Sequence, residues 1–324
     1  MELPRRNFLH LATGAAALPT VSRLARAQTY PRRPVRIIVP FAPAGAPDIV
    51  ARLMGQWLSE RLGQQFVIDN RPGAGGNVGT EAVVRAPPDG HTLLIVGTPH
   101  AISASLYERL NFAFVRDIAP IGSIVRLPHV MVVNSSVPVQ TVPEFIAYAK
   151  VNAGKLNMAS AGVGTATHLA GELFKMMAGV DLVHVPYPRG LPYTDLIGGR
   201  VQVYFGSVPS AIPYIRTGSL RALAVTTAAR SELLPEFPTI GDFVPGYEFS
   251  YWSGLGAPKN TPVQIIERLN REINTGLASP VIKLQLADLG ATTFPGSPAD
   301  FGKLIAGETE KWGKVIRAAN IKPE

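Results

Sequence analysis

From Val35 onward, short runs of β-branched and aliphatic residues alternate with longer segments whose apolar residues recur every three or four positions, and Gly or Pro marks the junctions. The short runs predict strands at Val35 to Pro40, Phe66 to Asp69, Thr92 to Val96, Val130 to Val133, Leu156 to Ala159, Leu182 to Val185, Val201 to Phe205 and Leu220 to Thr226, with helices between them. Thr141 followed by Glu144 forms a capping box before Phe145 to Lys150. Thr261-Pro262-Val263-Gln264 opens Ile265 to Ile273 in the same way, with Pro at the first helical position, and Ser297-Pro298 starts a last helix. This alternation predicts βαβ units and a mostly parallel sheet in each unit. No repeat of solenoid period is present. The length of 324 residues suits two α/β lobes, one built from residues 28–129 plus 251–324 and the other from 130–250. Two extended crossings, near Ile118 to Val130 and Tyr247 to Gly256, would form a two-strand hinge, with the C-terminal helices packing back onto the first lobe.

Composition narrows the function classes. The formal charge of +8 raises the question of a nucleic-acid partner, but Arg5, Arg6, Arg23 and Arg26 stand against a single acid, Glu2, at the N-terminus, and the other basic residues are scattered. No nucleic-acid partner is expected. The absence of cysteine excludes disulfides, thiolate nucleophiles and cysteine-based metal sites. A basic start, an apolar stretch from Phe8 to Val21 and Ala25-Arg26-Ala27 read as a signal peptide over residues 1–27, cleaved near Ala27, with Arg5-Arg6 resembling a twin-arginine signal. The apolar run is too short and too Pro-interrupted to span a bilayer. The expected location is therefore the periplasm.

Enzyme motifs fail one by one. The glycine run at Gly73 has Val78 where a dinucleotide fingerprint needs Gly, and the one at Gly162 has Thr167. Neither a phosphate loop nor a nucleophile elbow is present, and the six histidines show no metal-binding spacing. No cofactor and no metal are expected. What recurs instead is a strand end, a small-residue turn and a helix start, at Phe41 to Asp48, Arg71 to Thr80, Ser160 to His168 and Gly206 to Ser210. In open α/β sheets such junctions line the ligand crevice, and helix starts present unpaired N–H groups to an anion. Each has a bland alternative: a tight connection for the glycines, a first-turn preference for Asp48, caps at Thr165 and Thr167, a satisfied core imidazole for His168, a solvated charge for Arg71, and a helix cap for Asp195.

The stretches "YPRRPVRIIVPFAPAGAPDIVARLM", "VIDNRPGAGGNVGTEAVVRAPPDGHTLLI", "SAGVGTATHLAGELF", "HVPY" followed by "TDLIGGRVQVYF", and "LRALAVTT" together resemble the Bug family, periplasmic solute-binding proteins of tripartite tricarboxylate transporters. The resemblance covers nearly all of the chain after residue 27. It implies a two-lobed, type II-like periplasmic binding protein fold without enzymatic activity, a small organic carboxylate as ligand, membrane permease subunits as partners, and a monomer. By motif match it places Phe41, Ala42, Ala44, Gly45 and Asp48, with Gly76 and Asn77, on one side of the ligand. Ser160, Gly164, Thr165 and His168 lie on the other, and Asp195 with Gly206 and Ser207 lines the far end. This chain departs from the family pattern at Ala44-Gly45, where Gly-Gly is usual, at Pro47, which removes a hydroxyl and an N–H, and at Gln202, which replaces a frequent Asp. It also departs in a shortened segment between Tyr187 and Thr194. There Arg189 or Tyr193 would help fit a dicarboxylate or a larger, aromatic acid. Two rival readings are an exported enzyme using Asp48 or His168 as base, and an orphan receptor serving a signalling partner.

Overall fold

A computed structural model describes residues 30–43, 45–107, 109–187 and 192–323. The expected signal peptide, Ala44 and Arg189 lie outside the described residues. The elements run β1 (Val35–Val39), α1 (Ala46–Leu62), β2 (Phe66–Asn70), α2 (Asn77–Val84), β3 (Thr92–Gly97), α3 (Thr98–Leu106), α4 (Phe114–Asp117), β4 (Ile118–Asn134), α5 (Val142–Val151), β5 (Asn157–Ser160) and α6 (Ala166–Ala178). They continue β6 (Val183–Pro186), α7 (Tyr193–Ile197), β7 (Val203–Ser207), α8 (Val208–Arg216), β8 (Leu220–Val225), β9 (Ser250–Pro258), α9 (Val263–Ala278), α10 (Pro280–Asp288), β10 (Thr292–Thr293) and α11 (Pro298–Ala318).

One expected strand is much longer than its hydrophobic run. Val130 to Val133 is only the end of β4, which takes in the whole first crossing in spite of Pro120 and Pro128. Proline is tolerated in a ladder where no N–H is needed. The β4–β9 register shifts between Pro120 and Gly122, and Pro128 is the last residue paired with β9 before β7 takes over at His129.

The sheet order is β2-β1-β3-β9-β4-β7-β5-β6, with β10 and β8 also pairing with β4. The outer pairs are parallel, as the helical crossovers require, whereas every pair involving β4 or β9 is antiparallel. The result is a curled mixed sheet flanked by helices. Its directions fix where the strand ends meet. Gly97 at the end of β3 pairs with Ser253, close to where β9 lies beside Pro128, and Ser207 at the end of β7 pairs with His129. The carboxyl ends of β1, β2 and β3 therefore face the carboxyl ends of β5, β6 and β7 across the middle of β4.

Period-two alternation distributes the core. Val35, Ile37 and Val39 of β1 join a cluster with Met54, Leu58, Leu269 and Ile273 under α1 and α9, while Ile38 points to the opposite face. Val130 and Val132 pack with Tyr193, Tyr204 and Val208, and Met131 and Val133 enter the largest cluster, with Phe174, Phe205, Phe301 and Trp312.

The C-terminal helices return as expected, but α11 does more than cover the first half. It packs on α3, on β4 and also on α6 of the second half. The Trp312 ring meets Phe249 edge-on at 5.6 Å, and its Nε1 donates to Glu308 Oε2 at 2.9 Å. One detail differs at α9: Pro262 occupies the cap position and the Thr261 hydroxyl donates to the Pro258 carbonyl at 2.8 Å, so no capping box forms. At α5 the Thr141 hydroxyl does accept the Glu144 amide, at 3.3 Å. Trp312→Ala should destabilise the protein by about 3–5 kcal/mol in urea unfolding, since it empties a closed core position; a loss under 1 kcal/mol would show that α11 is not integral to the core.

Candidate binding cleft

The chain leaves β1 at Pro40 and turns through Phe41 and Ala42 to Gly45, which caps α1 in an extended conformation with no side-chain hydrogen bond. The Gly45 carbonyl accepts the amides of Asp48 and Ile49, whereas the amides of Ala42, Gly45 and Ala46 have no acceptor among the described residues. Pro47 has no N–H, so the first turn of α1 offers one donor fewer. The Asp48 carboxylate, 2% exposed, is tied to protein donors: Oδ2 accepts from Arg52 Nε and Oδ1 from Asn70 Nδ2, both at 2.9 Å. Asn70 Nδ2 also reaches the Phe41 carbonyl at 3.2 Å. Asp48 thus fastens the start of α1 and the turn before it to the end of β2.

The turn before α2 lies against this one. Gly76, at φ +98°, passes so close to Phe41 that a Cβ would sit 3.3 Å from the ring. Asn77 is buried, and its Nδ2 has no partner among the described residues. On the other side of Phe41 stands His100, with ring centroids 5.8 Å apart, stacked in turn on Phe114 at 5.2 Å. Its Nδ1 accepts the Gly97 amide at 3.1 Å, which leaves the proton of the neutral ring on Nε2, a buried donor without a partner among the described residues. Burial lowers the pKa of His100 to about 4, so the ring is neutral.

In the second half, Ser160 ends β5 fully buried. Its hydroxyl accepts the Gly162 amide at 3.1 Å and lies 2.6 Å from His184 Nε2. The Ala161 amide donates to Thr167 Oγ1 at 2.9 Å, the Gly164 amide to His168 Nδ1 at 3.0 Å, and the Thr165 amide to the Gly162 carbonyl. These turn amides are consumed internally. At the start of α6 the amides of Ala166, Thr167 and His168 have no acceptor among the described residues. Gly164 adopts φ +69°, and a Cβ there would lie 2.5 Å from Leu106 Cδ2, so the turn sits directly against the end of α3.

Tyr193 occupies the far end. Its hydroxyl lies 2.7 Å from Ser210 Oγ, which lies 2.7 Å from Ser207 Oγ, and its ring stacks on Tyr214 at 4.5 Å. Gly206 passes under the Tyr193 hydroxyl, with room for no larger residue. Burial raises the Tyr193 pKa to about 12, so the group is a neutral phenol. Asp195 is turned to other partners: its Oδ2 accepts from the Tyr187 hydroxyl at 2.8 Å and its Oδ1 from Arg200 at 3.1 Å.

The described residues expected near a ligand thus stand at turns on the facing strand ends, but their side chains do different things. Asp48, Ser160, His168 and Asp195 use their polar atoms to shape turns, and the donors left over are helix-start amides, Asn77 and His100. Sequence reasoning named the Gly206 to Ser210 junction but missed His100 and His184. His184, in the motif "HVPY", sits at an inward-facing β position, which is the one local sign it carried.

Opposed strand ends carrying small-residue turns, joined by one continuous strand, fit a solute-binding protein. The chain matches the family described as the tripartite tricarboxylate transporter family receptor over residues 50–321 and belongs to it. It is 35% identical over 318 residues to Protein BugT of Bordetella pertussis, spanning 97% of this chain and 96% of that one. Among solved structures it resembles R. palustris Rpa4515 with adipate, at 37% identity and TM-score 0.76, covering 91% of this chain and 100% of that chain. MatC from Rhodopseudomonas palustris with bound malate aligns at 29% identity and TM-score 0.72, over 89% of this chain and 100% of that one.

Burial also holds His129 and His184 at a pKa of about 4. A histidine whose folded pKa lies below its unfolded value contributes stability above the unfolded pKa, near 6.5, and loses it as pH falls toward the folded value. Urea unfolding should therefore show stability dropping from pH 7 to pH 4.5, by at most about 3 kcal/mol for each of the fully buried His100 and His129, and by less for His184, whose partial exposure screens it. A flat profile over that range would contradict their neutral burial.

Proposed function

We propose that this chain is a periplasmic receptor that closes two lobes, residues 28–129 plus 251–324 and residues 130–250, on a small organic carboxylate. It then delivers the bound acid to the permease subunits of a tripartite transporter. The observation that carries this reading is the pair of opposed donor sets: the amides of Ala42, Gly45 and Ala46 on one side, and those of Ala166, Thr167 and His168 on the other. Helix starts favour negative charge, and neutral donors can bind an anion without a buried cation whose desolvation would have to be offset when the cleft is empty. Adipate and malate in the solved relatives support a dicarboxylate, with the Tyr193, Ser207 and Ser210 hydroxyls meeting its distal end. No helix among the described residues is long and apolar enough to cross a membrane, and export rests on the signal-like residues 1–27.

The enzyme alternative has one observation in its favour, the 2.6 Å contact between Ser160 Oγ and His184 Nε2. A serine nucleophile must reach its substrate, however, and Ser160 is fully buried with its hydroxyl engaged in its own turn. The receptor reading is favoured.

In a panel of C4 to C8 dicarboxylates and their monocarboxylate counterparts, at least one acid at a hundredfold excess over its Kd should raise Tm by about 5 °C. That acid should be recovered chemically unchanged after prolonged incubation. No thermal shift across the panel, together with no acid released from the purified protein on denaturation, would sink the carboxylate assignment; conversion of the acid would favour the enzyme.

A further inference from the structure

His168 is 4% exposed, and both of its ring nitrogens address the protein rather than the cleft. Nδ1 accepts the Gly164 amide at 3.0 Å, so the ring proton sits on Nε2, which faces Glu172 Oε1 at 3.6 Å. Glu172 is held in turn by Lys175 at 2.9 Å, and these two neighbours together keep its carboxyl below the usual range against the opposing effect of burial. On the ring face lies His184 of β6, stacked at 3.7 Å between centroids and 14° between planes, with its own Nε2 against Ser160. The amide that His168 holds belongs to Gly164, the residue pressed against Leu106 of the opposite half. The imidazole therefore controls where the second-half turn meets α3.

We propose that His168 is a positioning residue: the acceptor Nδ1 seats Gly164 against Leu106 and so aims the start of α6 at the ligand, and the stacked His184 ring keeps that imidazole in place. The inference rests on the carboxylate-receptor reading and deepens it, because it makes ligand affinity depend on one lone pair that the ligand does not touch.

Two near-isosteres separate the roles of the ring nitrogens. The carbonyl oxygen of Asn lies close to where Nδ1 stands, and the amide of Gln close to Nε2. With adipate and malate as probes, His168→Asn should bind within about threefold of the wild type, and His168→Gln should lose at least tenfold in affinity.

A readout that needs no ligand accompanies these: hydrogen exchange at the Gly164 amide should be slow in the wild type and in His168→Asn, and fast in His168→Gln. Equal affinity and equal Gly164 protection in Asn and Gln variants would overturn the proposal. Failure of the wild type to bind any carboxylate would overturn the receptor reading instead, while Gly164 exchange would still decide the role of His168. If neither variant folds, Gly164 exchange in the wild type decides alone: slow exchange supports the proposal, and exchange at the rate of an unprotected amide counts against it.

Discussion

The structure depends on one strand that does not stop. Ile118–Asn134 pairs with β9 along its first part and with β7 and β8 along its second, changing partners between Pro128 and His129. Because β9 and β7 both run antiparallel to it, the parallel strands beyond them are forced to point their carboxyl ends at each other. The meeting of these strand ends follows from strand direction alone, and the turns at those ends inherit their place from that geometry. Trp312 and the rest of α11 add a constraint of their own, since one helix is seated on both α3 and α6.

The chemistry of the cleft is that of neutral donors. Asp48 and Asp195 bring carboxylates close to the expected anion site, yet each is consumed by side-chain partners, Arg52 and Asn70 for one and Tyr187 and Arg200 for the other. Two carboxylates left unpaired there would repel an acid. Paired, they shape the turns. His100 and Tyr193 similarly act as uncharged donors and acceptors at neutral pH. The net charge of +8 plays no visible part in this arrangement, which agrees with the scattered placement of the basic residues.

Much of the fold was legible in the sequence because alternation and punctuation are local signals. Val35 to Val39 shows its two faces in its own residues, and Gly, Pro and the Thr141 cap mark the junctions. The unity of β4 was not legible, since Pro120 and Pro128 normally interrupt a ladder, and only the partner strands reveal that pairing continues past both, with a register shift beside Pro120 and a change of partner beside Pro128. The site was legible as a set of turns and not as a set of roles. Gly164 and Gly76 are glycines because of Leu106 and Phe41, residues remote in sequence whose proximity no local pattern announces. His184 and His100 likewise acquire meaning only through Ser160, His168 and Phe41, which the fold brings to them.

The most direct test is a structure of the protein crystallised with a bound dicarboxylate. The account predicts one carboxylate between the two helix starts, within hydrogen-bond distance of the amides of Gly45 or Ala46 and of Ala166 or Thr167, with no Asp48 oxygen released from Arg52 or Asn70 to reach it. An acid seated elsewhere, or one held in the cleft chiefly by charged side chains while those amides stay unengaged, would contradict it.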